Sequence, residues 1–165
     1  MRIISSQAVA VEGGSARKRS GELRPEAPEP NTNGSASPGR RGQVRVERGD
    51  FKAGEVTAVV GVTGALSGAV LYRMSEATAL AIVGQMMGQS FSQLDALARS
   101  GVGELGNVIT GRAGVLLERA GVRAEIAPPM LIVGRGGLMS SLDIPRLVVP
   151  LQTSAGPIDL QIALK

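Results

Sequence analysis

Five glycines fall between Gly101 and Gly114, inside a stretch from Ser92 to Gly121 whose apolar spacing is helical. Each costs a helix on the order of 1 kcal/mol relative to alanine, so backbone propensity does not select this state. Such a helix forms only if the missing side chains let something come close, a neighbouring element on some sides and a partner's backbone on another. At about 100° per residue, Ser100, Glu104, Asn107 and Gly111 share a sector of about 60°, while Leu105, Ile109 and Leu116 lie opposite. The spacing predicts a helix, bent or broken around Ser100 to Gly103, with Leu105, Ile109 and Leu116 on the core and an acid and an amide displayed together on the other face. Gly111 and Gly114, about one and two turns past Asn107, leave a bare surface that a partner can approach.

The flanking segments read as strands and one further helix. Val44 and Val46 alternate with Arg45 and Glu47, and Val56 to Val62 and Ala69 to Arg73 are rich in β-formers on either side of the turn chemistry in TGALSG. Ser75 is placed to cap a helix with Glu76 in its first turn, an apolar stripe at Leu80, Val83 and Met87, and an end near Gly88. Met86 and Met87 are expected as gap-filling core. Val122 to Glu125 and Met130 to Val133 flank a double proline, and Leu147 to Val149 pairs with the alternating Ile158, Leu160, Ile162 and Leu164 in a last hairpin around SAGP. Helices set among hairpins predict an α+β layered domain, an antiparallel β-meander sheet packed with helices, and disfavour a parallel doubly wound sheet.

A chain of 165 residues supports one modest core. Aromatic residues make up 2%, so that core is built from Val, Ile, Leu, Ala and Met. The net charge of +4 is concentrated at one end: residues 1–50 carry nine basic and six acidic side chains, and residues 51–165 carry nine and eight. Residues 1–43, rich in Pro, Gly, Ser, Arg and Glu, offer little to bury and are expected to be disordered, leaving 44–165 as the folded domain. Arg17-Lys18-Arg19 lacks interleaved aromatics and a basic stripe continuing into the folded part, so a solvated tail is expected and nucleic-acid binding is not. The opening residues lack a long apolar run for a signal peptide, and no window approaches a membrane span. With no cysteine to mark a redox compartment, a cytoplasmic location is the default.

The residue inventory excludes most self-contained active sites. GVGELG at Gly101 to Gly106 spells GxGxxG, but DALARS before it reads as helix where a dinucleotide fingerprint needs a strand. The absence of His and Cys removes imidazole bases, thiol nucleophiles and ordinary zinc sites. There is no GxSxG elbow or SxxK pair. Glu118 lies about four turns beyond Glu104 and cannot flank the same bond. An incomplete site of this kind fits a substrate that brings the remaining parts. An amide contributes both a donor and an acceptor without titrating, which suits it to order a water molecule.

Ser100-x3-Glu104-x2-Asn107, followed by Pro129 in APPM, resembles the signature of the CheC/CheX/FliY phosphatases of bacterial chemotaxis. Gly54 to Gly88 resembles the family's first hairpin and following helix, and Pro145 to Lys165 resembles the final hairpin of the CheX-like branch, so the likeness covers about residues 44–165. It implies hydrolysis of the aspartyl phosphate of a CheY-like receiver domain, with Asn107 inserting toward the acyl phosphate and Glu104 pairing with a receiver lysine. Ser100 matches the leading motif position and Pro129 the closing, structural one. The chain itself would bind no cofactor, the magnesium ion being held by the receiver. Glu76 is followed three residues on by Ala79, so a second ExxN site is missing, as in the CheX-like branch, where a homodimer joined at a sheet edge is implied and is expected here through the final hairpin. The alternative is a noncatalytic module that binds a receiver or flagellar-switch-like partner through the same face. Residues 1–43 show no amphipathic pattern like the helix with which CheX-like domains begin, so an apolar patch on the sheet is expected to lie uncovered.

Overall fold

Period-two alternation in the long strands sets the layers of the molecule. The computed structural model describes residues 39–134, 136–139 and 144–165. The expected disorder of residues 1–43 therefore falls outside the described residues up to position 38. The chain runs through β1 (Arg40–Arg41), β2 (Arg45–Glu47), β3 (Phe51–Lys52), β4 (Val56–Gly64) and β5 (Gly68–Met74) into α1 (Glu76–Met87) and α2 (Ala96–Arg119). It continues through β6 (Ala124–Ile126), β7 (Met130–Val133), β8 (Leu138–Met139), β9 (Arg146–Thr153) and β10 (Gly156–Leu164).

Val56, Ala58, Val60 and Val62 of β4 turn to the same side as Val70, Tyr72 and Met74 of β5 and Ile158 of β10, and there they meet Ala79 and Val83 of α1 and Ala98 and Val102 of α2. The opposite face carries Val59 and Leu71, packed under Phe51 and Ala53 beside a small ribbon of β3 and β8. Arg146 is buried on that side. Its guanidinium donates to the carbonyls of Gly49 and Asp50 and lies 5.9 Å from the Phe51 ring centroid, which ties the incoming chain to β9.

The main sheet is antiparallel, in the order β1-β9-β10-β5-β4-β6, with β2 also on β9 and β7 also on β4. The hairpins β4–β5 and β9–β10 thus stand side by side, joined where Leu160 faces Tyr72 and Ile162 faces Val70. This placement corrects one expectation. Strand β10 is paired on both flanks, to β5 and to β9, so the last hairpin does not offer a free backbone edge through Ile158 to Leu164. The outer strands are β1 and β2 on one side and β6 and β7 on the other. Because Arg40 already pairs with Gln152, the sheet also starts a few residues before the expected boundary at position 44.

Helix α1 begins on the expected cap, and α2 begins at Ala96 on a cap, Asp95, that the expected helical stretch from Ser92 did not single out. Ser75 Oγ accepts from the Thr78 amide at 3.1 Å, Asp95 accepts from the Ala98 amide at 2.8 Å, and Gly88 closes α1 in the left-handed region at φ 66°. Met86 and Met87 are largely exposed, because α1 buries Thr78, Ala79 and Val83 instead. Helix α2 is continuous over 24 residues and is not broken at Ser100 to Gly103. Its buried positions are Ala98, Gly101, Val102, Gly106 and Thr110, while Ile109 and Leu116, expected in the core, are 41% and 64% exposed. The physical reason is size: the small residues bring the first half of α2 into contact, and the second half stands off from the sheet. Between that second half and the strands opens a groove of about 470 Å³ lined by Ile109, Leu116, Leu117, Leu160, Ile162 and Leu164, among others.

The glycines of α2 should therefore respond to substitution with opposite signs. A methyl group at Gly101 would stand 2.7 Å from Val83 Cγ1, a fully buried side chain, whereas at Gly114 it would meet open space. Gly101→Ala is expected to destabilise the fold by about 1–3 kcal/mol despite the gain in helix propensity. Gly114→Ala should stabilise it by about 0.5–1 kcal/mol. Urea midpoints at constant slope measure both, and equal shifts of the same sign would contradict the packing described.

Candidate functional site

Three glycines fit the first half of α2 against three different neighbours. A β-carbon at Gly101 would strike Val83 and Met87 of α1; at Gly106 it would lie 3.2 Å from Val60 and 3.4 Å from the Tyr72 ring; at Gly103 it would lie 3.4 Å from Pro129 Cγ. The helix is thus held by α1 on one side, the sheet below, and the link between β6 and β7 on the third. That link is itself fixed, since the Ala127 amide donates to the Gly61 carbonyl at 2.9 Å. What remains is the fourth side, and it carries Ser100, Glu104 and Asn107.

Glu104 and Ser100 are exposed and Asn107 is half-buried, one turn on from Glu104 along the same face. Neither Glu104 nor Asn107 forms a side-chain hydrogen bond or ion pair among the described residues. The structure brings together Ser100, Glu104 and Asn107 on α2, with Pro129 packed against Gly103 on the flank of that face. Gly111 continues the face but sits near β6, where an added methyl would meet Ile126 at 3.6 Å, an ordinary contact. Gly114 borders the apolar groove as well as open space. GVGELG lies wholly within α2 and forms no phosphate-binding loop.

The polar pair lies outside the lining of the larger cavities among the described residues. The cavity of about 600 Å³ beside α1 and the groove of about 470 Å³ under the second half of α2 include neither Glu104 nor Asn107 in their lining. Small-molecule sites are concave and enclose most of their ligand. An acid and an amide displayed together on a helix face outside such a cavity suit contact with another macromolecule. No group of three or more His, Cys, Asp or Glu side chains placed to hold a metal ion occurs among the described residues.

One anchoring contact escaped the sequence reading. The Tyr72 hydroxyl lies 2.8 Å from Thr110 Oγ1 in the buried layer, tying α2 to β5 three residues after Asn107. A lone tyrosine facing a helix that is otherwise polar at one buried position is the available signal, but the partner is 38 residues away and only the fold supplies it. Burial pushes the Tyr72 phenol above its ordinary value, and the Thr110 hydrogen bond works in the opposite direction.

Residues 56–152 match the family model described as chemotaxis phosphatase CheX. The chain is 37% identical over 112 residues to the CheY-P phosphatase CheX of Thermotoga maritima, an alignment covering 67% of this chain and 72% of the relative. Among solved structures, a chemotaxis protein CheX from Desulfovibrio desulfuricans is similar with a TM-score of 0.69 and 29% identity over 77% of this chain and 85% of the other. A chemotaxis protein from Desulfovibrio vulgaris Hildenborough is similar with a TM-score of 0.68 and 26% identity, over 77% and 83%.

The Tyr72 contact predicts a pH dependence with a definite sign. Since the folded state raises the phenol's pKa, it holds that proton more tightly than the unfolded chain does. The stabilisation is complete below the unfolded value of about 10 and is lost as pH rises from there through the folded value. Tyr72→Phe should cost about 1 kcal/mol at neutral pH through the lost hydrogen bond, and should flatten the alkaline loss of stability. Urea unfolding of both proteins across the alkaline range tests this; parallel curves would show that the tyrosine is not the titrating group.

Proposed function

The chain belongs to the CheX family of chemotaxis phosphatases, and we propose that α2 carries Glu104 and Asn107 into the phosphorylation site of a CheY-like receiver domain to hydrolyse its aspartyl phosphate. The observation that carries this reading is the joint display of the two side chains, without partners among the described residues, on the side of α2 away from α1, the sheet and Pro129. A family relative of 37% identity is a CheY-P phosphatase, which supports a receiver substrate.

Phosphoryl transfer is accelerated mainly by positioning and by stabilising charge. In the proposed step a water oxygen attacks phosphorus in line, the bond from phosphorus to the aspartyl oxygen breaks, and the products are inorganic phosphate and the free carboxylate. Asn107 Oδ1 accepts a hydrogen bond from that water and Nδ2 donates toward the phosphoryl region, which fixes the attack angle without any change of protonation. Glu104, one turn before, pairs its carboxylate with a receiver lysine and so sets how deeply the amide enters. Ser100 extends the contact face by one turn. The chain binds no cofactor in this reading, and the receiver holds the magnesium ion as part of the substrate. A cytoplasmic location and a homodimer belong to the same proposal. For the dimer, the unpaired edges at β1 and β2 or at β6 and β7 are the available surfaces. No helix among the described residues is long and apolar enough to cross a membrane.

Asn107→Ala should lower receiver dephosphorylation by about 100-fold with the fold intact, since the side chain makes no hydrogen bond among the described residues. Glu104→Ala should lose part of its effect in apparent affinity. Release of phosphate from a phosphorylated receiver at saturating and limiting concentrations separates the two. Undiminished turnover by folded Asn107→Ala would remove the assignment in favour of a noncatalytic receiver-binding module. Sedimentation across a concentration series tests the dimer, which a strict monomer at high micromolar concentration would reject.

A further inference from the structure

The uncovered side of α2 is apolar along one border. Leu97, Val108 and Val115 are 50%, 45% and 51% exposed, and at about 100° per residue they cluster within about 20° of one another and within about 40° of Glu104. Leu97 stands about two turns before Glu104 and Val108 about one turn after it, so the carboxylate is bracketed along the helix by branched aliphatic side chains. On the opposite border of the polar face, the contact at Gly103 with Pro129 closes the surface. Exposed large hydrophobic side chains are ordinary when scattered. Three at spacings of eleven and seven residues lie along one stripe of the helix, interleaved with Glu104 and Arg112.

We propose that Leu97 and Val108, continued by Val115, form the apolar docking strip by which this chain grips the phosphorylated receiver and sets its affinity, separately from the chemistry at Asn107. This rests on the phosphatase reading given above. An exposed carboxylate–ammonium pair is screened by water and salt and contributes at most about 1 kcal/mol, which does not by itself hold two proteins together. Specific interfaces instead surround a few polar contacts with dry apolar ones, which exclude water from them. The strip adjoins Glu104 on the same helix, so a receiver lying over the polar pair must cover it. The charge on this flank fits as well: Arg112, exposed one turn past Val108, faces a partner whose phosphorylated aspartate and metal-binding carboxylates are anionic.

The test is steady-state dephosphorylation of a phosphorylated CheY-like receiver by Leu97→Ser, Val108→Ser and the double variant, with Asn107→Ala and Val46→Ser in parallel. Val46 is also exposed but lies on β2, away from the strip. The strip predicts KM raised about 10-fold by each single variant and more by the pair, kcat within about twofold of the parent, and no change for Val46→Ser. The conservative Leu97→Met and Val108→Ile should restore KM, which a purely structural role would not require. If Val108→Ser unfolds by circular dichroism, Val108→Thr carries the same comparison with volume kept. Unchanged KM in folded strip variants overturns the docking proposal while loss of kcat in Asn107→Ala leaves the phosphatase reading standing. Unchanged kcat in Asn107→Ala overturns that reading instead. A shift in oligomeric state with KM unaltered would assign the strip to self-association and reject the receiver as its occupant.

Discussion

Everything that concerns function depends on the close seating of the first half of α2 at Gly101, Gly103 and Gly106. A methyl group at any of these would press on α1, on Pro129 or on the sheet. The helix pays for that approach with poor intrinsic propensity, recovered by contact with buried Val83, Val60 and Tyr72. A helix gripped on three sides has little freedom to roll, and rolling by one residue would carry Asn107 about 100° away from the open side. The glycines and the polar pair are therefore one device: the absent side chains hold the present ones in place.

The placement of the pair follows from the same seating. With sheet, α1 and the β6–β7 link all pulled close, the larger cavities among the described residues lie away from Glu104 and Asn107. On the proposed function, an enzyme so built contributes half of an active site, and the substrate would contribute the acyl phosphate, its metal ion and the cation for Glu104. Recognition and chemistry then fall to neighbouring residues on one helix, which makes separable effects on KM and kcat a natural outcome of the geometry.

Much of this was legible before any coordinates. The α+β class, the two hairpins, the caps at Ser75 and Gly88 and the shared face of Ser100, Glu104 and Asn107 follow from spacing and turn chemistry, which act over a few residues. The misreadings came where the deciding contact was distant. Ile109 and Leu116 look like core by hydrophobicity, but the helix seats on its smallest residues, and only the facing surface determines which side is pressed in. Met86 and Met87 failed for the same reason, since α1 buries Thr78 and Ala79 instead. The position of β10 between β5 and β9 depends on pairing across most of the chain, which alternation within one strand cannot specify.

The two halves of α2 divide the helix by mechanical role. The half bearing the polar pair is clamped, and its nearby Thr110 is fixed through Tyr72. The half beyond Thr110 overlooks an apolar groove and contributes exposed Leu116, which weakens the fold's hydrophobic return without serving the polar pair. Local opening should thus begin at the far end of α2 and stop at the Tyr72–Thr110 contact, because unfolding past it exposes Gly106 packing, a buried hydrogen bond and Val102 together. Asn107 lies just inside that boundary. The tolerance of the domain for a loosely seated far half of α2, and the precision that the proposed water-orienting role would demand of Asn107, are compatible because one buried hydrogen bond separates the two parts of the helix.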